Sequence, residues 1–259
     1  MSKKKLLFIT EGEIDEPKFI DKVFSKCYPN IEYTYYPYST SIHTLSKLLF
    51  DKKGEIDEFL DIKGVLKENE KNEYKREKLS DKYSDIILVF DFDPHSDNPQ
   101  FEKIKKMLLF FNDSTNNGKL YINYPMMQSY KHIKNYFDDD FKDRIVEVSN
   151  CSKYKEIINE ESILKDLKKY TYPIIMKIIG FNLKKANYLL NSVYGIPSYE
   201  EFCKMDLKRI YDIQCKMKDK NIVSVLNTFV FNIIEYNPDI MLKKVEEFEL
   251  YQPKKESKI

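Results

Sequence analysis

Arginine is almost missing from this 259-residue chain: only Arg76, Arg144 and Arg209 occur. Lys, Asn, Ile and Tyr abound instead, a bias that fits AT-rich bacterial coding and carries no chemical demand. Net charge is nearly missing too, because 43 Lys and Arg offset 42 Asp and Glu to leave +1. No overall field therefore draws the chain to nucleic acid or to an anionic membrane, and any phosphate-binding surface must be a local patch. Cys27, Cys151, Cys203 and Cys215 stand far apart with no CxxC and no partner histidine. That spacing argues against a zinc site and fits reduced thiols in the cytoplasm. The apolar stretch behind Lys3, Lys4 and Lys5 runs for only four residues, too short for a signal segment or a membrane span. Gly12 and Lys18 share a segment but lack the GxxxxGKS/T spacing of a phosphate loop, so an intrinsic ATPase is not expected.

What is present is a chain 42% hydrophobic and long enough for a proper core. Lys5 to Thr10 reads as a strand, and Phe19, Ile20, Val23 and Phe24 follow at helical spacing. A second pair comes next, a β-like run over Ile31 to Tyr38 and a helix over His43 to Phe50. Residues 51–84 are strongly charged. One amphipathic helix is expected there around Ile56, Phe59, Leu60 and Val65, then a solvated run, KENEKNEYKREK, as an insertion or mobile arm. Asp85 to Phe90 is the most hydrophobic strand and is expected at the centre of the sheet. A helix over Phe101 to Phe111, turn chemistry over Asn112 to Lys119, a strand over Leu120 to Tyr124 and a last strand over Arg144 to Val148 complete the alternation.

This order predicts an α/β fold: a mainly parallel sheet with helices on both faces over residues 1–150. The apolar spacing beyond Cys151 predicts a helical C-terminal domain over 151–252 without strands, and 253–259 reads as a disordered tail. Lys168 to Leu190 mixes Lys with Tyr and Phe. It fits either a nucleic-acid-tracking stretch or an amphipathic helix with its lysines in water.

Chemistry concentrates at two places, TEGEIDEP after the first strand and VFDFDPHSD at the end of the central one. Glu11, Asp91 and Asp93 are thereby expected where strands leave the sheet, the edge at which open α/β sheets bind ligands. Carboxylates gathered there repel one another unless a cation neutralises them, and hard oxygen donors suit Mg²⁺ or Mn²⁺.

The Glu-Gly pair followed about 80 residues later by DxD resembles the TOPRIM family, shared by topoisomerases, bacterial primases and OLD-type nucleases. The resemblance covers roughly residues 4–130. It implies a TOPRIM-like sheet and assigns Glu11 as metal ligand or general acid/base, with Asp91 and Asp93 as Mg²⁺ ligands. Gly12 would let the chain turn and a phosphate approach. The spelling EGxxxEPxF is most similar to RloB and OLD-related nucleases of bacterial anti-phage systems, which adds Glu16 to the metal set. Phosphodiester cleavage of DNA or RNA follows as the expected activity, as an effector of antiviral defence by abortive infection. The resemblance further implies restraint by a separate ATPase chain or by homo-oligomerisation.

Asp97, Lys131 and His132 are accessory candidates, the last two for a phosphate. Gln128 departs from the pattern, since it stands where related nucleases carry an acid, and an amide is neither an anionic ligand nor a general base. Three other readings stay open. A catalytically silent TOPRIM scaffold would serve as a binding module. A nucleotidyl- or glycosyltransferase would use the DxD for a metal-bound nucleotide and leave Glu11 idle. A dehalogenase-type phosphatase would use Asp91 as nucleophile, but Pro94 and His95 stand where its motif continues with Thr or Val. The Asp138–Asp140 run reads as a turn or cap, and His43 and His95 lack partners at ligand spacing.

Overall fold

The computed structural model describes residues 4–253. The tail expected from residue 253 thus lies, from 254 on, outside the described residues. Continuous apolar runs form two of the inner strands, β1 (Lys5–Thr10) and, later, β3 (Asp85–Asp91), because a strand covered on both faces has no polar side to alternate with. Between them come α1 (Asp15–Cys27), β2 (Glu32–Pro37), α2 (Ile42–Leu49), α3 (Ile62–Asn69) and α4 (Glu73–Ser80). After β3 follow α5 (Phe101–Phe110), the two-residue β4 (Asn112–Asp113) and β5 (Gly118–Asn123). The sheet order is β2-β1-β3-β5-β4, all parallel except β4, which folds back on β5 as a hairpin. As expected, β3 sits centrally.

The charged segment departs from expectation. Ile56 pairs with Phe50 in an isolated bridge, Phe59 is 86% exposed, and the helix starts only at Ile62, where Ile62 and Leu66 are buried one turn apart. The run KENEKNEYKREK is largely exposed, as expected of a solvated run, but it is helical and docked instead of a free arm. It forms the end of α3 and most of α4, docked along the outer strand: Tyr36 donates to Glu70 at 2.9 Å, and Lys75 and Lys78 donate to the carbonyls of Pro37 and Tyr35. Covering an edge strand in this way blocks its pairing with other chains.

Residues 144–148 also differ. Their strand, β6 (Ile145–Glu147), leaves the main sheet and pairs antiparallel with β7 (Ile222–Ser224), a strand inside the region expected to hold helices alone. The remaining elements are α6 (Tyr154–Glu161), α7 (Tyr172–Asn191), α8 (Tyr199–Cys203), α9 (Leu207–Lys218), α10 (Val230–Glu235) and α11 (Pro238–Glu247). This C-terminal region packs directly on the sheet and shares one hydrophobic core with it. Phe229 lies edge-on to Phe8, Phe19 and Tyr121, and Thr228 donates to the Ile122 carbonyl at 2.8 Å. On α7 the lysines are not in water: Lys185 is buried and donates to the Phe141 carbonyl at 3.0 Å, and Lys177 donates to the Glu249 carbonyl at 2.6 Å. No described helix is long and apolar enough to cross a membrane.

Candidate functional site

The chain leaves β1 toward β2 on one side and returns through β3 on the other, so the strand order reverses between β1 and β3. The crevice past the carboxyl ends of two such strands is the customary ligand position in an open α/β sheet. Glu11 and Asp91 sit there. The Glu11 amide continues the ladder to the Val89 carbonyl at 3.0 Å, and its side chain folds over so that Oε2 accepts the Asp91 amide at 3.1 Å. Asp91 Oδ1 in turn accepts the Met127 amide at 2.7 Å from the 3₁₀ turn Met127–Lys131, which follows β5.

Glu16 lies in the first turn of α1, 5% exposed, where the helix N-terminus favours a carboxylate. Gly12 is required for that placement: a Cβ there would stand 2.6 Å from Glu16 Oε2. Burial pushes the Glu11 carboxyl up to about 8, with the charges of Glu16 and Asp93 adding and the Asp91 amide opposing. Burial likewise drives Asp91 well above the carboxylate range, helped by Glu11 and Glu16, and raises Glu16, helped by Asp15. These acids therefore lie close enough to repel one another. Among the described residues no three His, Cys, Asp or Glu side chains are yet gathered as a cation would hold them. Carboxylate oxygens are nonetheless donors of the kind a hard divalent ion takes, and burial first, then their mutual charge, favours the protonated form.

Asp93 adopts the left-handed backbone region at φ 43°, uncommon for a side chain with a Cβ. Buried His43 secures it. Its Nδ1 accepts the Gln100 amide at 3.0 Å, so the ring proton lies on Nε2 and is donated to the Asp93 carbonyl at 3.2 Å. Burial pulls the His43 pKa down, in keeping with a neutral ring. Sequence reading gave His43 no role, because its partner is a backbone oxygen on a distant loop.

Asp15 and Lys155 also went unnoticed. Lys155, on α6, pairs with Asp15 Oδ2 at 2.9 Å, and Asp15 accepts Nε2 of Gln128 as well. Asp15 was legible as a neighbour of Glu16, but nothing in the sequence marks Lys155. Lys131 is half-buried beside this pair, with burial lowering its pKa and Asp15 opposing. His132 is buried with both ring nitrogens engaged, by the Tyr154 hydroxyl at 3.0 Å and Glu161 at 2.7 Å, which leaves neither for a phosphate. Asp97 is exposed on the loop after β3. The acidic run at 138–140 does form a turn, and it holds a buried bidentate pair, Asp138 with Arg144 at 2.6 and 2.9 Å.

Compared with known protein families, curated proteins and solved structures, this chain has no match.

Proposed function

We propose that this chain is a Mg²⁺- or Mn²⁺-dependent phosphodiesterase of the TOPRIM type, cutting nucleic acid in the bacterial cytoplasm as an effector of phage defence. The observation that carries this reading is the direct bond from the Asp91 amide to Glu11 at the point where the strand order reverses. Two acidic turns far apart in sequence act as one unit there, and repulsion between them creates the demand for a cation. Glu11, Glu16, Asp91 and Asp93 would hold it. Once bound, the ion supplies Lewis acidity toward a phosphate oxygen and an acidified water.

The chain's own groups supply the rest. Glu11, whose burial favours the protonated form, would have to release its proton to serve as an ionised ligand. Met127 and His43 hold Asp91 and the Asp93 backbone in place. Lys155 and Lys131 flank the acids with the positive charge that a phosphate backbone needs from a chain without overall charge. A transferase built on the DxD alone gives Glu11 no task, whereas here Glu11 caps the strand that carries the DxD. Control by a separate ATPase chain or by self-association remains part of the proposal through the family resemblance alone.

The test is cleavage of single- and double-stranded DNA, RNA and tRNA in Mg²⁺, Mn²⁺ or EDTA, with Asp91→Ala/Asp93→Ala as control. Metal-dependent cutting abolished in the double variant is expected. Equal cutting by both proteins would refute the assignment. Mn²⁺ binding without cutting of any substrate would favour the silent binding module.

A further inference from the structure

Lys177, Gly180, Phe181 and Lys184 recur along α7 at the spacing that puts them on one helix face. That face lines a cavity of about 250 Å³, with Phe137 and Asp139 on one side and Val245 and Glu249, from the end of α11 and just beyond, on the other. Three contacts with these walls fix the place of the Lys177 amine. Nζ donates to the Glu249 carbonyl at 2.6 Å and lies 4.6 Å from the ring centre of Phe137 and 5.9 Å from that of Phe181. The Glu249 carboxylate acts on Lys177 through its charge but makes its ion pair with Lys184, at 2.9 Å. Lys185 is the contrast: it is wholly buried and gives its amine to two carbonyls, those of Phe141 and Arg144, which is a structural use. Burial, with the charge of Lys184 adding, brings Lys177 down to about 8 from an ordinary 10.5. At pH 7 about one such amine in ten is uncharged, against fewer than about one in a thousand for an ordinary lysine.

We propose that Lys177 is the reactive amine of a second site, one that takes a small aromatic aldehyde and holds it as an imine. The rings of Phe137 and Phe181 beside Nζ offer walls for an aromatic body. The volume falls below the roughly 300 Å³ at which pockets for drug-sized ligands begin, so a single ring fits and a nucleotide does not. Phe137 and Leu250, both substantially exposed, also line the cavity and open it to solvent. Its charges cancel, Lys177 and Lys184 against Asp139 and Glu249, so nothing there selects an anion and recognition falls to the rings and the amine. In the step itself the Nζ lone pair forms the C–N bond while the carbonyl π pair moves to oxygen. The two protons of the amine leave with that oxygen as water, and a C=N bond remains. No oxidant or reductant is consumed. None of these residues belongs to the acidic crevice, so the site is independent of the cation reading.

The experiment treats the full wild-type chain at pH 7 with limiting benzaldehyde and sodium cyanoborohydride, which delivers hydride to the imine carbon and leaves a stable benzylamine. Peptide mapping by mass spectrometry then gives the rate at each lysine. Lys177 should be labelled at least about tenfold faster than Lys243, whose side chain is exposed. Millimolar benzyl alcohol, the same ring without an electrophile, should slow Lys177 severalfold and leave Lys243 unchanged. Labelling of Lys177 no faster than that of Lys243 overturns the proposal. Fast labelling that benzyl alcohol does not slow also overturns it, because the amine is then acidified but no cavity recognises the ring. Equal slowing of both lysines overturns it as well, by tracing the effect to the solution and not to the site.

Discussion

Replacing Glu11 by Gln keeps the length of the side chain and an acceptor for the Asp91 amide while removing the charge. In the folded protein the Glu11 carboxyl titrates at about 8 against an ordinary 4.5, mainly through burial. The sign follows from proton binding. Between those values the folded state keeps a proton that the unfolded chain has released, so this contribution to stability is complete below 4.5 and is lost as pH rises through about 8. At about 1.4 kcal/mol per pH unit, the ceiling is about 5 kcal/mol above pH 8 and about 3 kcal/mol at pH 7. Solvent at the half-buried carboxylate and the weaker acceptor in Gln reduce the net gain at pH 7 to about 2 kcal/mol. With about 2–4 °C per kcal/mol for a chain of this size, Glu11→Gln should melt about 4–8 °C higher than the wild type at pH 7 in EDTA. The gap should close toward pH 4.5 and widen up to about pH 8. Saturating Mn²⁺ should reverse the order, because ligand at one hundred times Kd adds about 2.7 kcal/mol to the protein that binds it. Melting curves by circular dichroism between pH 4.5 and 8.5 test this. A variant less stable than the wild type at pH 7, or a gap that does not change with pH, would refute the reasoning.

Gly12→Ala should barely alter stability, within about 1 kcal/mol, because the colliding atom is the mobile end of Glu16. It should still weaken Mn²⁺ affinity by displacing that carboxylate, as read by calorimetry. His43→Leu leaves the Asp93 carbonyl and the Gln100 amide without their partner and should cost about 1–3 kcal/mol in denaturant melts. Because burial lowers the His43 pKa, its share of stability is present above the unfolded value of 6.5 and lost as pH falls through the folded one, so the variant should show a shallower decline on the acid side. Asp138→Ala strands the buried Arg144 guanidinium and should cost about 3–5 kcal/mol, the largest loss among these variants in the same melts.

The inner strands and the helices around them were readable because β1 and β3 are uninterrupted apolar runs flanked by helical spacing. From them the sequence placed Glu11 and Asp91 at one sheet edge, and the structure joins the two by a hydrogen bond. The charged segment misled because α3 and α4 bury only Ile62, Leu66 and Leu79 and otherwise dock through Glu70, Lys75 and Lys78, polar contacts that no hydrophobic pattern records. The strand β6 was readable but falls to the main sheet on sequence alone, because its true partner β7 is three residues long, below the length at which alternation can be seen. Lys177 and Lys185 read as solvent-facing, yet each is buried because a backbone carbonyl from another segment receives its ammonium. His43 was hidden for the same reason: its partners are backbone groups of residues 93 and 100, and backbone leaves no signature in side-chain spacing.

Crystals grown with Mn²⁺ and measured at the manganese absorption edge examine the proposed cation most directly. An anomalous peak bound by oxygens of Glu11 and Asp91, in the crevice between β1 and β3, is the expected result. Full occupancy of Mn²⁺ elsewhere, with that crevice empty and the Glu11 to Asp91 amide bond unchanged, would contradict it.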